Sequence, residues 1–429
     1  MAERFTNAHA HCFTIDHVPE DFFKALAVGT NLLKISKIKK SSFLRFVIHF
    51  GTSSFIRWIV HWFSPNVASQ LRRLHGLIKY SLHENQEALI DILSKYYEEK
   101  FRFVLLSMDM EEMSAGLPIE LFHVQLEKLS ILKSNPKYHD RIYPFVFAEP
   151  RKDNFQNTIL ECLESKAAPF QGIKIYPAIG YYPFDKRLKS VYEYAIKHEI
   201  PVMTHCIDGP VYYRDCLWKQ FPDKYTVHPA NPSQSTTPTS KYQNPAEFQL
   251  ILSHPLNYEC LLNKDIATNL FGEPVDFSTL KLCIGHFGGE GEWNLAKIQT
   301  KKRNNSKYAQ LQQFDPLDIK QPWLGEKYER HNWLTIIKAL IGKYPNIYAD
   351  ISYTLHDKST YPELKEMLAD PSLQNKILFG TDYYVVASVS EEPELISLLH
   401  KHFTSPELKL MMYDNPKRYL SSNLNPIRD

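Results

Sequence analysis

Nowhere in the chain do uncharged apolar residues run for the roughly 18 to 20 positions that a spanning helix needs. The opening MAERFTNAHAHCFTIDHVPE carries acids and histidines where a secretory signal would have its apolar run. Six cysteines (Cys12, Cys162, Cys206, Cys216, Cys260 and Cys283) fall at no paired spacing and form no zinc-finger pattern. They read as reduced thiols, and a cytoplasmic location is the expectation. Charge of one sign is also missing: 50 Lys and Arg against 48 Asp and Glu leave a net +2, so no global field points to nucleic acid. No internal repeat is present. What remains is a chain of 429 residues, 44% hydrophobic and 23% charged, the make-up of an ordinary globular protein.

Eight short apolar runs are spaced along it: RFTNAHAH (4–11), FRFVLLS (101–107), IYPFVFA (142–148), FQGIKIY (170–176), IPVMTH (200–205), LKLCIGH (280–286), NIYADIS (346–352) and KILFGT (376–381). Near-continuous apolar character suits strands buried on both faces of a parallel sheet. Helix-period segments lie between them. In 186–198, Leu188, Val191, Tyr192, Ala195 and Ile196 make one apolar stripe, and 334–343, 361–369 and 391–402 have the same period. Strand and helix in alternation predict a (β/α)8 TIM barrel, α/β in class, forming a single domain over 1–429. Three insertions follow predicted strand ends, at 20–100, 207–279 and 288–330. The second opens with the loop-like HPANPSQSTTPTSKYQNP and has a helix candidate at 246–253. The third holds Lys301, Lys302, Arg303, Asn304 and Asn305, which read as an exposed loop. Strand ends mark the catalytic face of such a barrel, where loops shape the substrate pocket.

His9-Ala10-His11 closes the first run, and alternate residues of a strand share a side, so both imidazoles project together. Two nitrogens on a rigid strand suit zinc or a similar ion. Alone, the pair reads equally well as two ordinary surface histidines. Three further groups sit at matching positions: His205 ends PVMTH, His286 ends LCIGH and Asp382 follows ILFGT. Several strand ends bringing metal-capable side chains to one rim is the pattern of a metal-assisted active site.

These pieces resemble the amidohydrolase superfamily, and most of all its amidohydrolase-2-like subgroup, which also holds metal-dependent decarboxylases. The resemblance rests on NAHAH, GIKIYP (172–177), PVMTHC (201–206), IGHFGG (284–289), NIYADIS, LFGTDYY (378–384) and NPKRYL (415–420), and spans residues 7 to 420 in the family's order, insertions aside. It implies that His9, His11, His205 and Asp382 bind a divalent metal, most simply zinc as one or two ions. Asp382 is implied as general base as well, and His286 as a metal ligand or as the group that polarises a substrate carbonyl. It also implies a role for Lys174, since some members carry a carbamylated fourth-strand lysine bridging two metals; an unmodified Lys174 would form an ion pair or bind a substrate carboxylate. The family often has an acid just before His-x-His, and this chain has Asn7-Ala8 there. Ala148-Glu149-Pro150-Arg151 is similar to an Asp-Pro-Arg of relatives, which makes Glu149 and Arg151 rim candidates. Cys12 and Cys206 read as packing residues, because neighbours of inward residues point outward.

The activity so implied is hydrolysis of an amide, ester or lactone of a small molecule by metal-activated water. Non-oxidative decarboxylation is the alternative, and a non-catalytic binding barrel is a third reading. One composition stands apart. Residues 22–83 hold ten Lys and Arg with no Asp or Glu, interleaved with Phe43, Phe46, Phe50, Phe55, Trp58, Trp62 and Phe63. A helical cap with a solvated basic face or a homodimer interface is the expectation, ahead of peripheral contact with an anionic membrane or lipid-like ligand.

Overall fold

The computed structural model describes residues 4–19, 85–98, 101–113, 115–207, 227–235, 251–302, 306–311, 313–319, 330–383 and 392–427. Eight parallel strands pair in chain order: β1 (Thr6–Ala10), β2 (Arg102–Leu106), β3 (Ile142–Phe147), β4 (Gly172–Lys174), β5 (Val202–Ile207), β6 (Leu282–Gly288), β7 (Ile347–Asp350) and β8 (Ile377–Leu378). The chain after β8 returns to β1. Ala8 N donates to Phe379 O (2.8 Å), Asp382 N donates to His9 O (2.9 Å), and Ala10 bridges Tyr383 in parallel. The nearly closed sheet with its crossover helices is a (β/α)8 TIM barrel.

Alternation along each strand divides the apolar residues into two layers. Ala8, Val104, Leu106, Phe145, Met203, Cys283, Tyr348 and Leu378 form an inner cluster. Phe103, Leu105, Val146, Ile173, Val202, Leu282, Ile284, Ile347 and Ile377 pack outward into the larger core with the helices. The short helix Asn415–Leu420 stands at the N-terminal end of the barrel. Its Tyr419 joins the inner cluster and donates to Val202 O at 2.8 Å.

The amphipathic stripe at 186–198 becomes a 3-10 turn, Lys186–Leu188, running into the helix Lys189–His198, with Leu188, Val191, Tyr192 and Ala195 buried. Trp333–Lys343, Tyr361–Ala369 and Glu392–His402 fall where the period put them. The insertions differ from their reading in particular ways. Of 20–100, residues 20–84 lie outside the described residues, the basic aromatic 22–83 among them. The remainder holds Gln86–Lys95, whose buried Leu89, Ile90 and Leu93 make it the crossover helix between β1 and β2 rather than part of a cap. The stretch read as loop from 228 contains an antiparallel hairpin, Val227–His228 with Asn231–Ser235. The His228 ring pins it: Nδ1 accepts from Ala230 N at the turn (3.2 Å) and Nε2 meets Asn257 Oδ1 (3.0 Å). Residues 251–253 are helical, and the rest of the 246–253 candidate lies outside the description. The third insertion begins with the helix Glu290–Lys301, and Lys301 and Lys302 are exposed at its end. Among the described residues no helix is long and apolar enough to cross a membrane.

Candidate metal centre

At the C-terminal rim, His9, His11 and Asp382 present one ligand atom each, all within 4.8 Å of one another. His11 Nε2 lies 3.3 Å from Asp382 Oδ1 and His9 Nε2 lies 3.8 Å from the same oxygen. The far nitrogen of each ring is already committed. His9 Nδ1 donates to Asp350 Oδ2 (3.0 Å) and His11 Nδ1 donates to the carbonyl of Leu106 (3.2 Å). Both Nε2 atoms therefore carry lone pairs. His9 Nε2 is buried with no hydrogen-bond partner among the described residues. A bare nitrogen of that kind is costly unless something electropositive meets it. An ion about 2.1 Å from each ligand sets ligand atoms roughly 3–4 Å apart, the spacing found here. The donor set fits a divalent metal.

The backbone is bent to make this arrangement. The pairing of β1 with β2 slips between Asn7 and Ala10. Asn7 Oδ1 accepts from the backbone N–H of both His9 and Thr381 (3.2 Å each), and Asn7 Nδ2 donates to Thr381 Oγ1 (2.8 Å). The residue standing where relatives often have an acid thus ties the histidine strand to the loop carrying Asp382. Asp382 (φ 53°), His286 (φ 62°) and Phe287 (φ 46°) occupy the left-handed region, at about 1–3 kcal/mol each for non-glycine residues. Strain gathered where polar side chains converge is a mark of function. Gly380 leaves room for the close approach: a Cβ there would lie 2.7 Å from His9 Cβ.

A second layer of residues orients the first. Asp350, fully buried at the end of β7, accepts from His9 Nδ1, from His286 N (3.2 Å) and from Ser352 N (3.0 Å) and Oγ. Ser352 Oγ in turn meets His286 Nδ1 at 2.9 Å. His286 Nε2 faces His205 Nδ1 at 3.0 Å, and His205 Nε2 meets Tyr176 OH at 3.2 Å. The His286 ring centroid is 4.7 Å from that of His9 and 4.6 Å from that of His205. The His9 and His205 rings can be no further apart than those two distances laid end to end, although among the described residues His205 joins neither group of candidate ligand atoms. Asp350, Ser352 and Tyr176 were not singled out in the sequence, although an apolar run ending in a carboxylate, the signal used for Asp382, is also present in NIYAD.

Lys174, buried on β4, donates to Thr204 O at 3.2 Å. Burial lowers its pKa to about 8, against the opposing pull of Asp350 and Asp382. Glu149 and Arg151 are taken up with each other in a two-pronged ion pair (2.6 and 2.7 Å). Cys12 and Cys206 are buried away from the cluster. Cys12 Sγ accepts from Gln86 Nε2 (3.8 Å) and Cys206 Sγ donates to Ser253 O (3.3 Å).

Burial pushes His205 far below the usual histidine range and His286 down to about 4; the neighbouring histidines and Lys174 add to both shifts, while Asp382 and Asp350 oppose that of His286. Burial would raise the carboxyl of Asp382, yet the close approach of the His11 ring and the nearness of His286 and His9 hold it well below its ordinary value. Neutral imidazoles beside ionised carboxylates are the protonation states a metal requires.

No protein-family profile and no curated protein matches the chain. Solved structures do. The 5-carboxyvanillate decarboxylase of Novosphingobium aromaticivorans, in complex with manganese and 4-hydroxy-3-methoxy-5-nitrobenzoic acid, is 10% identical with a TM-score of 0.47, over 98% of this chain and 96% of that one. The enzyme of the same name from Sphingomonas paucimobilis is 10% identical with a TM-score of 0.46, over 98% and 99%. An amidohydrolase of Mycobacterium avium subsp. paratuberculosis is 12% identical with a TM-score of 0.42, over 98% and 100%.

Proposed function

We propose that this chain is a metal-dependent enzyme of the amidohydrolase type that hydrolyses an amide, ester or lactone of a small molecule. His9, His11, His205 and Asp382 hold one divalent ion, with zinc as the first candidate. One observation carries the reading: the partnerless, buried His9 Nε2 beside His11 Nε2 and Asp382 Oδ1. In the second triad of nearby groups, His9, His286 and Asp350, His9 Nδ1 is already engaged by Asp350 Oδ2 and His286 Nδ1 by Ser352 Oγ, which favours a single ion.

Bound there, a divalent ion supplies Lewis-acid chemistry, acidifying water and polarising a carbonyl. The side chains do the rest. Asp350 holds the proton of His9 on Nδ1, keeping Nε2 free. Asp382 has one oxygen turned to the two imidazoles, and its other oxygen takes a proton from the attacking water and returns it to the leaving group. His286, kept neutral by burial, orients the substrate oxygen.

Non-oxidative decarboxylation is the second reading, favoured by Lys174. Its amine donates to a backbone carbonyl, and a buried ammonium near the centre suits a substrate carboxylate. Turnover assays on chelated and metal-restored protein test both, with amides, esters and lactones against aromatic carboxylic acids. Hydrolysis that disappears with chelator and returns with metal supports the first reading. Carbon dioxide release without hydrolysis supports the second, and activity indifferent to chelator contradicts both.

A further inference from the structure

Asn7 is fully buried, and its amide uses both lone pairs and both protons. Oδ1 accepts from the backbone N–H groups of His9 and Thr381 at 3.2 Å each. Nδ2 donates to Thr381 Oγ1 at 2.8 Å and to the Tyr97 hydroxyl oxygen at 3.5 Å. A backbone N–H can only donate, so the amide has one orientation: oxygen to the backbone, nitrogen to the two hydroxyls. The same direction continues beyond it. Tyr97 O–H donates to Glu392 Oε1, the buried carboxyl that opens the helix Glu392–His402. Burial, and after it Glu392, hold the Tyr97 hydroxyl well above its ordinary pKa against the smaller pull of Thr381 and Asn7, so it keeps the proton it donates. The tyrosine ring packs on Phe101 and Phe103, with centroids 4.3 and 5.3 Å away.

This line of donors crosses the seam where two candidate ligands meet. Asn7 stands two residues before His9 and Thr381 one before Asp382, and His9 Nε2 lies 3.8 Å from Asp382 Oδ1. Such a constellation works only when held to within about 0.5 Å of its productive geometry. The direction of the line also accounts for an amide at position 7. A carboxylate there could still accept from the two backbone N–H groups, and the Thr381 hydroxyl could turn to donate to its second oxygen. Tyr97 could not follow, because its single proton is taken by Glu392. Two carboxyls would compete for that proton, and the loser would face the lone pairs of the tyrosine oxygen.

We infer that Tyr97 and Glu392 are positioning residues for the metal centre: Glu392 takes the Tyr97 proton, which turns the tyrosine oxygen to Asn7 and fixes the amide that sets the first-strand histidines against Asp382. The role rests on the metal-centre reading above and adds to it two residues from outside the strands. Tyr97 follows the helix Gln86–Lys95 and Glu392 opens the helix after β8, so the helical layer reaches the ligands through one side chain of β1.

Inverting every donor in the line tests it. Asn7→Asp sets two acceptors against Tyr97. Adding Glu392→Gln supplies an N–H to the tyrosine oxygen and releases its proton to the new carboxylate, so each group has a partner again. Zinc alone is the probe: its affinity for chelator-stripped protein is measured by competition with a chromophoric chelator, beside the thermal midpoint without zinc. Asn7→Asp is expected to weaken zinc binding by about 10–100-fold, and the paired variant to return to within about threefold of wild type. The added negative charge would by itself strengthen the hold on a cation, so the loss reports displaced ligands. Asn7→Asp binding zinc as tightly as wild type, or a paired variant as weak as Asn7→Asp, overturns the inference and leaves the metal centre standing. A lowered midpoint with unchanged zinc affinity, the mark of a network that serves only the fold, overturns it too. Where Asn7→Asp does not fold, the paired variant decides: near-wild-type zinc affinity supports the inference, and weak binding or failure to fold overturns it. A wild type that takes up no zinc overturns the metal centre itself and this role with it.

Discussion

His9 is held at one end of its ring and bare at the other. Asp350 takes the Nδ1 proton while Nε2 looks toward Asp382. Asp350→Asn exchanges an ionised acceptor for an amide that can also turn a donor toward the imidazole, so His9 loses its fixed tautomer. Metal affinity should fall by about 10–100-fold, read as a rise in Kd for zinc in a chelator competition. An unchanged Kd would mean that Asp350 serves only the fold. Asp382→Asn should abolish turnover and leave the unfolding temperature within a few degrees of wild type. Substantial residual turnover would remove Asp382 from proton transfer. At this scale the sequence was partly legible. His9, His11, His205, His286 and Asp382 each end an apolar run with a group that such a run has no packing reason to carry. Tyr176 and Ser352 gave no such sign, because a tyrosine or serine beyond a strand end is ordinary and only the third dimension sets it against an imidazole.

At the scale of the elements, the strands were readable because both of their faces are buried, which leaves an uninterrupted apolar signature. The irregularities that aim the side chains were not readable. The slip in β1 between Asn7 and Ala10, the slip between β5 and β6 beyond His205, and the left-handed His286 and Phe287 come from pairing across strands, which local composition does not encode. The β8-to-β1 seam depends on the bare backbone of Gly380. Gly380→Ala drives a methyl against His9 Cβ, an overpacking expected to cost about 1–3 kcal/mol. Thermal unfolding should register a lowered midpoint, and zinc affinity should fall with it as His9 is displaced. A variant equal to wild type in both would show that the seam yields without strain.

For the whole molecule, buried neutral histidines outside the candidate ligand groups tie stability to pH. His17 and His228 each accept a backbone N–H at Nδ1, from Thr14 and Ala230, and burial lowers both to about 4 from 6.5. Between those values the unfolded chain binds more protons than the fold, so stability rises with pH across the window and drops as pH is lowered through it. Unfolding midpoints should decline steadily from pH 7 to pH 4, and His228→Gln should flatten part of the slope; a flat wild-type profile would contradict the assignment. The barrel itself was legible from the alternation of eight runs with helical segments. The hairpin after β5 was not, since its proline-rich sequence reads as loop and is organised by His228 reaching Asn257.

The central claim is that one divalent ion is held by side chains from the first, fifth and eighth strands. Metal analysis of chelator-stripped protein reloaded with zinc and desalted tests it most directly. The account predicts about one equivalent retained by wild type and a large loss in His9→Ala and in Asp382→Asn. Wild-type protein that retains no metal, or variants that retain as much as wild type, would contradict it.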